Sequence, residues 1–303
     1  MRRCAHLSKR RSLSKLTRLI SKLKKRSYPK EQFFGLLQNL FGMFENPETV
    51  YQTLIARGLP LGEHNGKIFL KTACTPYRKQ VFTVVDIETS GSKPERAQVI
   101  EIGAIKFCGD EVIDRFESFI YAEEVPEYIT KLTGIEASDL ESAPSQAEVL
   151  RRFKEFLGDS VFVAHNVNFD YNFISHKLME CGLGELANRR LCSIDLARRT
   201  IESERYGLEY LNENLGIRTA VSHRAYADAL TAYEVMRRAL AHVPKEIKTT
   251  EELIDFSKKG KKLSAKKRLD ETRPQEVAPV VDGGAKHIQE PIHCDDQGDG
   301  ASG

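Results

Sequence analysis

The chain has 303 residues, of which 41% are hydrophobic and 29% charged, with only 20 glycines and 11 prolines. This composition is typical of globular proteins and excludes collagen-like and low-complexity chains. No apolar run approaches the roughly 18 residues of a membrane-spanning helix, so we expect neither a membrane span nor a membrane partner. At about 150 residues per domain, the length allows two domains, or one domain with long extensions.

Positive charge is concentrated at the N-terminus. The formal net charge is +3, but residues 1–30 hold twelve Lys or Arg and no acid, which leaves 34 basic and 43 acidic residues elsewhere. Leu13, Leu16, Ile20 and Leu23 stand at helical spacing in this segment, which could form a basic amphipathic helix. We interpret residues 1–30 as a flexible basic arm that attracts polyanions. The alternatives are a transit peptide for organelle import and an upstream extension that matters little to function.

Residues 31–80 predict a small accessory module. KEQFFGLLQNLFGMF and PETVYQTLIARG have helical apolar patterns, and GKIFLKTA is typical of a short strand. We interpret this unit as a packing or partner-docking module, with a winged-helix-like piece as the alternative.

Residues 81–243 have the richest pattern. VFTVVDI, QVIEIGAIKF and VIDRFESFIY predict three strands joined by short turns, which indicates an antiparallel meander. VFVAH and LCSIDL then alternate with helical patterns, which favours parallel additions to the same sheet. The predicted helices are AEVLRRFKEFL, FDYNFISHKLMECG, GLEYLNENLG and RAYADALTAYEVMRRAL. The fold class is therefore α/β, with a mixed sheet flanked by helices.

Residues 244–303 predict a short helix followed by a disordered tail, because the tail lacks any apolar period. His287, His293 and Cys294 lie in this tail without the ligand spacing of a closed metal site, so we interpret them as solvated. The six cysteines are scattered without a CxxC pair, and no secretory segment precedes them. We therefore expect free thiols and a reducing, cytoplasmic location.

The first candidate site residues follow a buried strand. VFTVVDIETSG places Asp86 and Glu88 two residues apart, and alternation along a strand aims both carboxylates at one face. Two anions about 6 to 7 Å apart at the end of a buried strand repel each other unless a cation lies between them. A hard divalent metal with oxygen ligands satisfies this requirement, although a solvated acidic pair has the same pattern.

Three further candidates stand where a helix begins. Asp170 in VAHNVNFD opens a predicted helix, where an acid also favours the helix dipole. His223 and Asp228 in HRAYADA are five residues apart, a spacing that rotates them by roughly 140° on one helix. We therefore expect His223 in the loop or first turn and Asp228 inside the helix. Four acids and one histidine match the needs of two-metal phosphodiester cleavage.

Together, VVDIETSG, VAHNVNFD and HRAYADA resemble the three motifs of DEDDh-type 3′→5′ exonucleases, in the right order and spacing. Within that family the chain is similar to bacterial DNA polymerase III epsilon subunits and their relatives. The resemblance implies a ribonuclease H-like fold with a mixed five-stranded sheet over residues 81–243, beside the small N-terminal module and disordered tails. One departure from the family is the Thr-Ser-Gly that follows Glu88, where Thr-Thr-Gly is common.

The resemblance also implies roles for individual residues. Asp86, Glu88 and Asp228 should hold a first Mg²⁺ or Mn²⁺, while Asp86 bridges to a second ion that Asp170 approaches. His223 should be the general base that takes a proton from the attacking water, and 5′-mononucleotides should be the products. The backbone around Ile87 and Thr89 should contact the terminal nucleotide. Thr133 in ITKLTGI falls where a substrate pocket residue is expected, although it is also typical of a turn before glycine. Glu101 in IEIGA is open between a solvent-facing and a supporting role.

These features lead to one main functional hypothesis and two alternatives. The main one is a metal-dependent 3′→5′ exonuclease that acts on single-stranded DNA ends and proofreads for a replicative DNA polymerase. The first alternative is an exoribonuclease that trims RNA ends with the same chemistry. The second is an accessory subunit whose main role is to bind the polymerase catalytic subunit through residues 31–80 and the segment 244–303.

Overall fold

The computed structural model describes residues 14–43, 45–217, 219 and 223–263. The predictions for the first part of the basic arm and for the C-terminal tail beyond residue 263 lie outside these residues. Among the described helices, none is long and apolar enough to cross a membrane. Cys108, Cys181 and Cys192 are free thiols. Cys74 is disulfide-bonded, which differs from the expectation of free thiols.

The N-terminal region is an ordered unit of helices around a small sheet. It contains α1 (residues 14–23), β1 (Tyr28–Pro29), α2 (Lys30–Phe41), α3 (Pro47–Ala56), β2 (Leu61–His64), β3 (Lys67–Leu70) and α4 (Lys71–Cys74). The sheet order is β1-β3-β2. Asn65 and Gly66 join β2 to β3 with φ values of 48° and 71°, the left-handed pair that a two-residue hairpin turn requires. The two predicted helices are α2 and α3, and the predicted short strand is β3.

The basic segment differs from a solvated arm in its described part. Helix α1 places Leu19 and Leu23 in a buried cluster with Phe33 and Leu37 of α2 and Ile68 of β3. Arg18 and Lys22 of α1 are exposed, whereas the partly buried Lys15 donates a hydrogen bond to the Phe41 carbonyl at 3.3 Å. The helical spacing of the leucines therefore decides the outcome, because burying them stabilises the segment against the module.

The second unit is built on a five-stranded mixed sheet in the order β6-β5-β4-β7-β8. Strands β4, β5 and β6 form an antiparallel meander, while β7 and β8 run parallel to β4, as predicted. Their bounds are β4 (Val81–Thr89), β5 (Val99–Cys108), β6 (Glu111–Phe119), β7 (Val161–Ala164) and β8 (Arg190–Cys192).

Helices cover both faces of this sheet. They are α5 (Glu127–Thr133), α6 (Ala137–Leu140), α7 (Gln146–Leu157), α8 (Val167–Glu180), α9 (Ser193–Thr200), α10 (Leu208–Asn214), α11 (Ala225–Ala241) and α12 (Thr250–Lys259). Of the predicted strand LCSIDL, only Leu191 and Cys192 belong to β8, because Ser193 begins the amphipathic helix α9. Helix α12 is the short helix predicted at the start of the C-terminal segment.

Alternation along β4 divides the core into two layers. Phe82 and Val84 face α11, where Phe82 stacks on Phe107 at a ring distance of 5.4 Å and Phe107 meets Tyr233 at 5.0 Å. Val85 faces α7 and α8 on the opposite side. Continuing this alternation places the even-numbered residues at the end of β4 on the side of α11.

Glu251 of α12 lies where the two units meet. Its carboxylate accepts hydrogen bonds from Arg189 Nε (2.5 Å) and Nη2 (2.7 Å) and from Thr72 Oγ1 (2.7 Å), and Lys24 Nζ lies 3.5 Å away. Although burial acts to raise it, these partners hold the pKa of Glu251 below its ordinary value. We refer to this group of four residues as the Glu251 junction. It ties α1, α4 and α12 to the residue that precedes β8.

Candidate active site

Asp86 and Glu88 lie near the C-terminal end of the central strand β4, on the face of the sheet that α11 covers. Asp86 stands opposite Gly103 of β5, and Glu88 stands opposite Glu101. Both acids are half-buried, because the apolar residues that precede them anchor β4 between β5 and β7. The two side chains therefore lie on the same face of the sheet, near the start of α11.

Helix α11 supplies the third carboxylate. It packs so closely on β5 that a Cβ atom on Gly103 would stand 2.2 Å from the Tyr226 backbone nitrogen. This approach brings Asp228, in the first turn of α11, over the end of β4. One carboxylate oxygen each from Asp86, Glu88 and Asp228 lies within 4.8 Å of the others. These oxygens come from distant parts of the sequence and form a site that one cation can occupy.

Asp170 approaches the same place from the α8 side of the sheet. It is 4% exposed in the first turn of α8. The backbone amides of Asp170 itself and of Ile87, which lies between the two acids of β4, act to lower its pKa against the effect of burial. Asp170 is not a member of the three-carboxylate group, but its charge contributes more than any other to the pKa rise of Asp86. It therefore lies at the margin of the group, next to Asp86.

Burial raises the pKa of all four carboxylic acids, and neighbouring acids add to the rise for Asp86, Glu88 and Asp228. Burial is the main cause for each of them. The pKa of Asp86 is well above its usual range, with Asp170 and Asp228 as the next causes. The pKa of Glu88 rises to about 8, with Asp228 as the next cause, that of Asp170 rises to about 7, and that of Asp228 is also raised. Such a set of oxygen donors fits a hard divalent cation, whose charge would permit all of them to ionise together.

His223 lies immediately before α11 and is exposed to solvent. Its backbone adopts the left-handed region with φ of 64°. Its N–H donates a hydrogen bond to Oδ2 of Asp228 at 3.0 Å. The five-residue spacing thus has the geometry that the sequence suggested, with the histidine in the loop and the acid inside the helix. The imidazole is accessible beside the carboxylate group.

The three predicted substrate contacts occupy different surroundings. Ile87 packs into the core on the α8 side, and Thr89 Oγ1 donates to the Gly91 carbonyl at 3.0 Å. Thr133 ends α5, where its buried hydroxyl donates to the Ile129 carbonyl at 2.9 Å and accepts from the Ile135 N–H at 3.1 Å. The Thr133 hydroxyl is thus engaged within the fold, and a contact with a nucleotide would fall to its methyl group.

His165 follows β7 and is held by hydrogen bonds within the fold. Its Nδ1 is 2.8 Å from Ser193 Oγ, and its Nε2 donates to the Tyr206 carbonyl at 2.8 Å. Burial lowers its pKa to about 4, so the ring is neutral at physiological pH. It links β7 to the neighbouring helix and loop.

Sequence reasoning left one supporting group unassigned. Glu101 is almost fully buried and binds Arg224, the residue that follows His223. The signal in the sequence is a single acid inside an apolar strand, together with an arginine inside a motif that also carries two candidate catalytic residues. Pairing them needed the register of β5 and the position of α11.

Comparisons with known proteins agree with this geometry. Residues 83–236 match the sequence model of the RNase_T family, described as exonuclease. The chain is 33% identical over 232 residues to the PolC-type DNA polymerase III of Staphylococcus aureus, which covers 75% of this chain and 15% of that relative. The same level of similarity is found for this polymerase in several strains, including MW2 and USA300.

Solved structures share the fold. Exonuclease I aligns with a TM-score of 0.51 and 17% identity over 58% of this chain and 43% of that chain. Escherichia coli exonuclease I in complex with a dA16 oligonucleotide aligns with a TM-score of 0.51 and 17% identity over 58% of this chain and 42% of that chain. These likenesses confirm the α/β fold with its mixed five-stranded sheet. The similarity to the polymerase agrees with the family match. The family match extends over about half of the sequence, and it shows that the chain belongs to the RNase_T family of exonucleases.

Proposed function

We propose that this protein is a metal-dependent 3′→5′ exonuclease that releases 5′-mononucleotides from single-stranded DNA ends and proofreads for a replicative DNA polymerase. The observation that carries the proposal is the group of three carboxylate oxygens within 4.8 Å of one another. Three acids this close, with raised pKa values, favour a bound dication over an empty site at neutral pH.

In this proposal the acids divide the work of holding two cations. Asp86, Glu88 and Asp228 would hold one, and Asp170 with Asp86 would hold the other. When bound, Mg²⁺ or Mn²⁺ would supply positive charge to the phosphate and the leaving 3′ oxygen and lower the pKa of water. His223 would accept a proton from the attacking water on an imidazole nitrogen, and its accessible position beside Asp228 supports this role. Ile87, Thr89 and Thr133 would line the terminal nucleotide.

The choice of DNA follows the similarity to polymerases. The match to the PolC-type polymerase extends over 232 residues and therefore reaches beyond residues 83–236 of the exonuclease match. An exoribonuclease would use the same carboxylates, and it would differ by a partner for the ribose 2′-hydroxyl. The similarity to a polymerase supports a proofreading role. We propose that residues 31–80 and 244–303 are the segments that dock the polymerase.

Digestion of labelled oligonucleotides tests the proposal. Matched DNA and RNA strands carrying a 5′ label would be digested with Mg²⁺, with Mn²⁺ and with a chelator, using paired and mispaired 3′ ends. We expect a ladder of 5′-labelled DNA products, faster removal of mispaired ends, and no digestion with chelator. Release of the 5′ label as the first product would contradict the direction, and a preference for RNA would favour the exoribonuclease. Deleting residues 264–303, or replacing the exposed Met43 and Ile55 of the 31–80 module by Glu, and measuring co-purification with a polymerase catalytic subunit tests docking.

A further inference from the structure

Glu101 is a buried acid next to the candidate site. It lies on β5 with 1% of its surface exposed, directly opposite Glu88 in the β4–β5 register. Residues directly opposite on antiparallel strands project from the same face, and like charges in that arrangement repel each other. An acid at this position therefore needs a counter-charge of its own.

Arg224 supplies that counter-charge. Its Nη2 donates to Glu101 Oε1 at 2.8 Å, and its Nε lies 3.2 Å from both carboxylate oxygens. The guanidinium also lies over the ring of Phe119, with its central carbon 5.1 Å from the ring centre, and Phe119 is the β6 partner of Glu101. The arginine is thus held by a two-pronged ion pair and by an aromatic ring.

Glu101 also caps α11. Arg224 is the N-cap residue of this helix and offers no side-chain cap. The N–H of Ala225 donates instead to Glu101 Oε2 at 3.0 Å. A carboxylate is a favourable partner for the exposed N–H groups and positive dipole at a helix start. One side chain on β5 therefore holds both the side chain and the backbone of the turn that follows His223.

These contacts occupy the Glu101 carboxylate. Oε1 receives two guanidinium contacts, and Oε2 receives one guanidinium contact and one backbone N–H. Glu101 is not a member of the three-carboxylate group. A role as a further metal ligand would require it to give up these partners, whereas a role in holding α11 uses all of them.

We propose that Glu101 and Arg224 are positioning residues that set His223 over the site by fixing the first residues of α11 against the sheet. The inference rests on the proposed exonuclease function. Arg224 is bonded directly to His223 along the chain, and the N–H of His223 is in turn held by Asp228. Displacing the start of α11 therefore moves the base, together with Asp228 in the first turn, and leaves Asp86 and Glu88 on their strand.

The test uses Glu101→Gln and Arg224→Gln alone and in the His223→Ala background. Steady-state digestion of a DNA oligonucleotide gives kcat, KM and the half-saturating Mn²⁺ concentration. Each single variant should lower kcat at saturating Mn²⁺ by about 10- to 100-fold, as partners behind a catalytic group do, with KM for DNA within about twofold of wild type. Any rise in half-saturating Mn²⁺ should be the same in both variants, because Asp228 lies in the first turn of the helix that both hold. In the His223→Ala background the same substitutions should lower kcat by less than about threefold. Arg224→Lys, which keeps the charge without the two-pronged geometry, should recover only part of the rate.

The matched control is the Arg189–Glu251 pair, which is also two-pronged and has a similarly buried carboxylate, but lies at the opposite ends of the strands. Glu251→Gln should lower the melting temperature and leave kcat per folded molecule unchanged. Melting curves of the Glu101 and Arg224 variants show whether they fold, and Arg224→Gln, with a side chain 38% exposed, preserves the test if Glu101→Gln does not.

Two results would overturn the inference. One is an equal loss of kcat from Glu101→Gln with and without His223. The other is a rise in half-saturating Mn²⁺ for Glu101→Gln that Arg224→Gln does not share, which would make Glu101 part of the metal site. Failure of the exonuclease proposal is separate, because the wild-type protein would then show no metal-dependent digestion in the same assay.

Discussion

Glu251 is buried and the acids of the Asp86–Glu88–Asp228 group are half-buried, yet their pKa values move in opposite directions. Arg189, Thr72 and Lys24 surround Glu251 and lower its pKa. The three acids of the candidate site have mostly other acids around them, and their pKa values are raised. Within one chain, burial of a carboxylate is thus compensated in one place and left uncompensated in the other.

This difference separates two uses of buried charge. At the Glu251 junction the protein supplies every partner, so the ion pairs hold two units together. At the candidate site the protein withholds the counter-charge, so a cation from solution can complete the site. The two regions therefore predict opposite responses to substitution, pH and metal.

The largest expected effect is on activity at the candidate site. Asp86→Asn should lower metal-dependent digestion by about a thousandfold or more, because it removes a ligand that both proposed cations share. The same change should leave the metal-free protein as stable as wild type or more stable, since it removes repulsion. Digestion assays and urea unfolding in chelator measure both. Asp114→Asn, an exposed acid on β6, is the control and should change neither. Full activity of Asp86→Asn would exclude the proposed site.

Substitution at the Glu251 junction should give the reverse pattern. Glu251→Gln leaves Arg189 without its counter-charge, and breaking such a buried pair should lower the free energy of unfolding by about 3 kcal/mol. Exonuclease activity per folded molecule should be retained. Urea unfolding followed by circular dichroism tests the first part. A loss of activity without a loss of stability would remove the distinction between the two regions.

The stability of the metal-free protein should fall as pH rises through neutrality. The folded-state pKa values of Asp170 and Glu88 are about 7 and about 8, above the ordinary range of carboxylic acids. The folded state therefore binds more protons than the unfolded state between about pH 4 and pH 8, and it loses stability across that window. Mn²⁺ should stabilise the protein more at pH 8 than at pH 5, because it binds the ionised acids.

Melting temperatures at pH 5 and pH 8, with chelator and with Mn²⁺, test this expectation. Glu88→Gln should reduce the pH dependence, and a metal-free melting temperature that rises steadily from pH 5 to pH 8 would contradict it.

The smallest expected effect concerns Thr133. Thr133→Val keeps the methyl group and removes a hydroxyl that makes two internal hydrogen bonds. The free energy of unfolding should fall by about 1 kcal/mol, with KM for DNA unchanged. An increase in KM at unchanged stability would instead place the hydroxyl against the substrate.

The sequence predicted local structure and family well, because apolar periods and motif spacing report directly on strands and helices. The meander of β4, β5 and β6 was predicted from three apolar strands joined by short turns. The parallel strands β7 and β8 were predicted from the alternation of strand and helix patterns. The basic segment was harder, because its cations and its leucines predict different states. Only contacts with Phe33 and Ile68, outside the segment, decide that Leu19 and Leu23 are buried.

The site could be predicted only in part for the same reason. The motif residues were visible as acids after strands and at helix starts. The partner of Glu101 was not, since it lies 123 positions away and depends on the close contact of α11 with Gly103. The bond network of Thr133 likewise depends on where α5 ends.

The Glu251 junction bears on how the protein can be cut. A fragment that begins at residue 81 would lose Thr72 and Lys24, and one that stops at residue 243 would also lose Glu251 itself. Arg189, at the N-terminal end of β8, would then lack its counter-ion. We expect limited proteolysis to leave residues 14–263 largely in one piece, and truncated versions limited to residues 81–243 to accumulate as aggregates during expression.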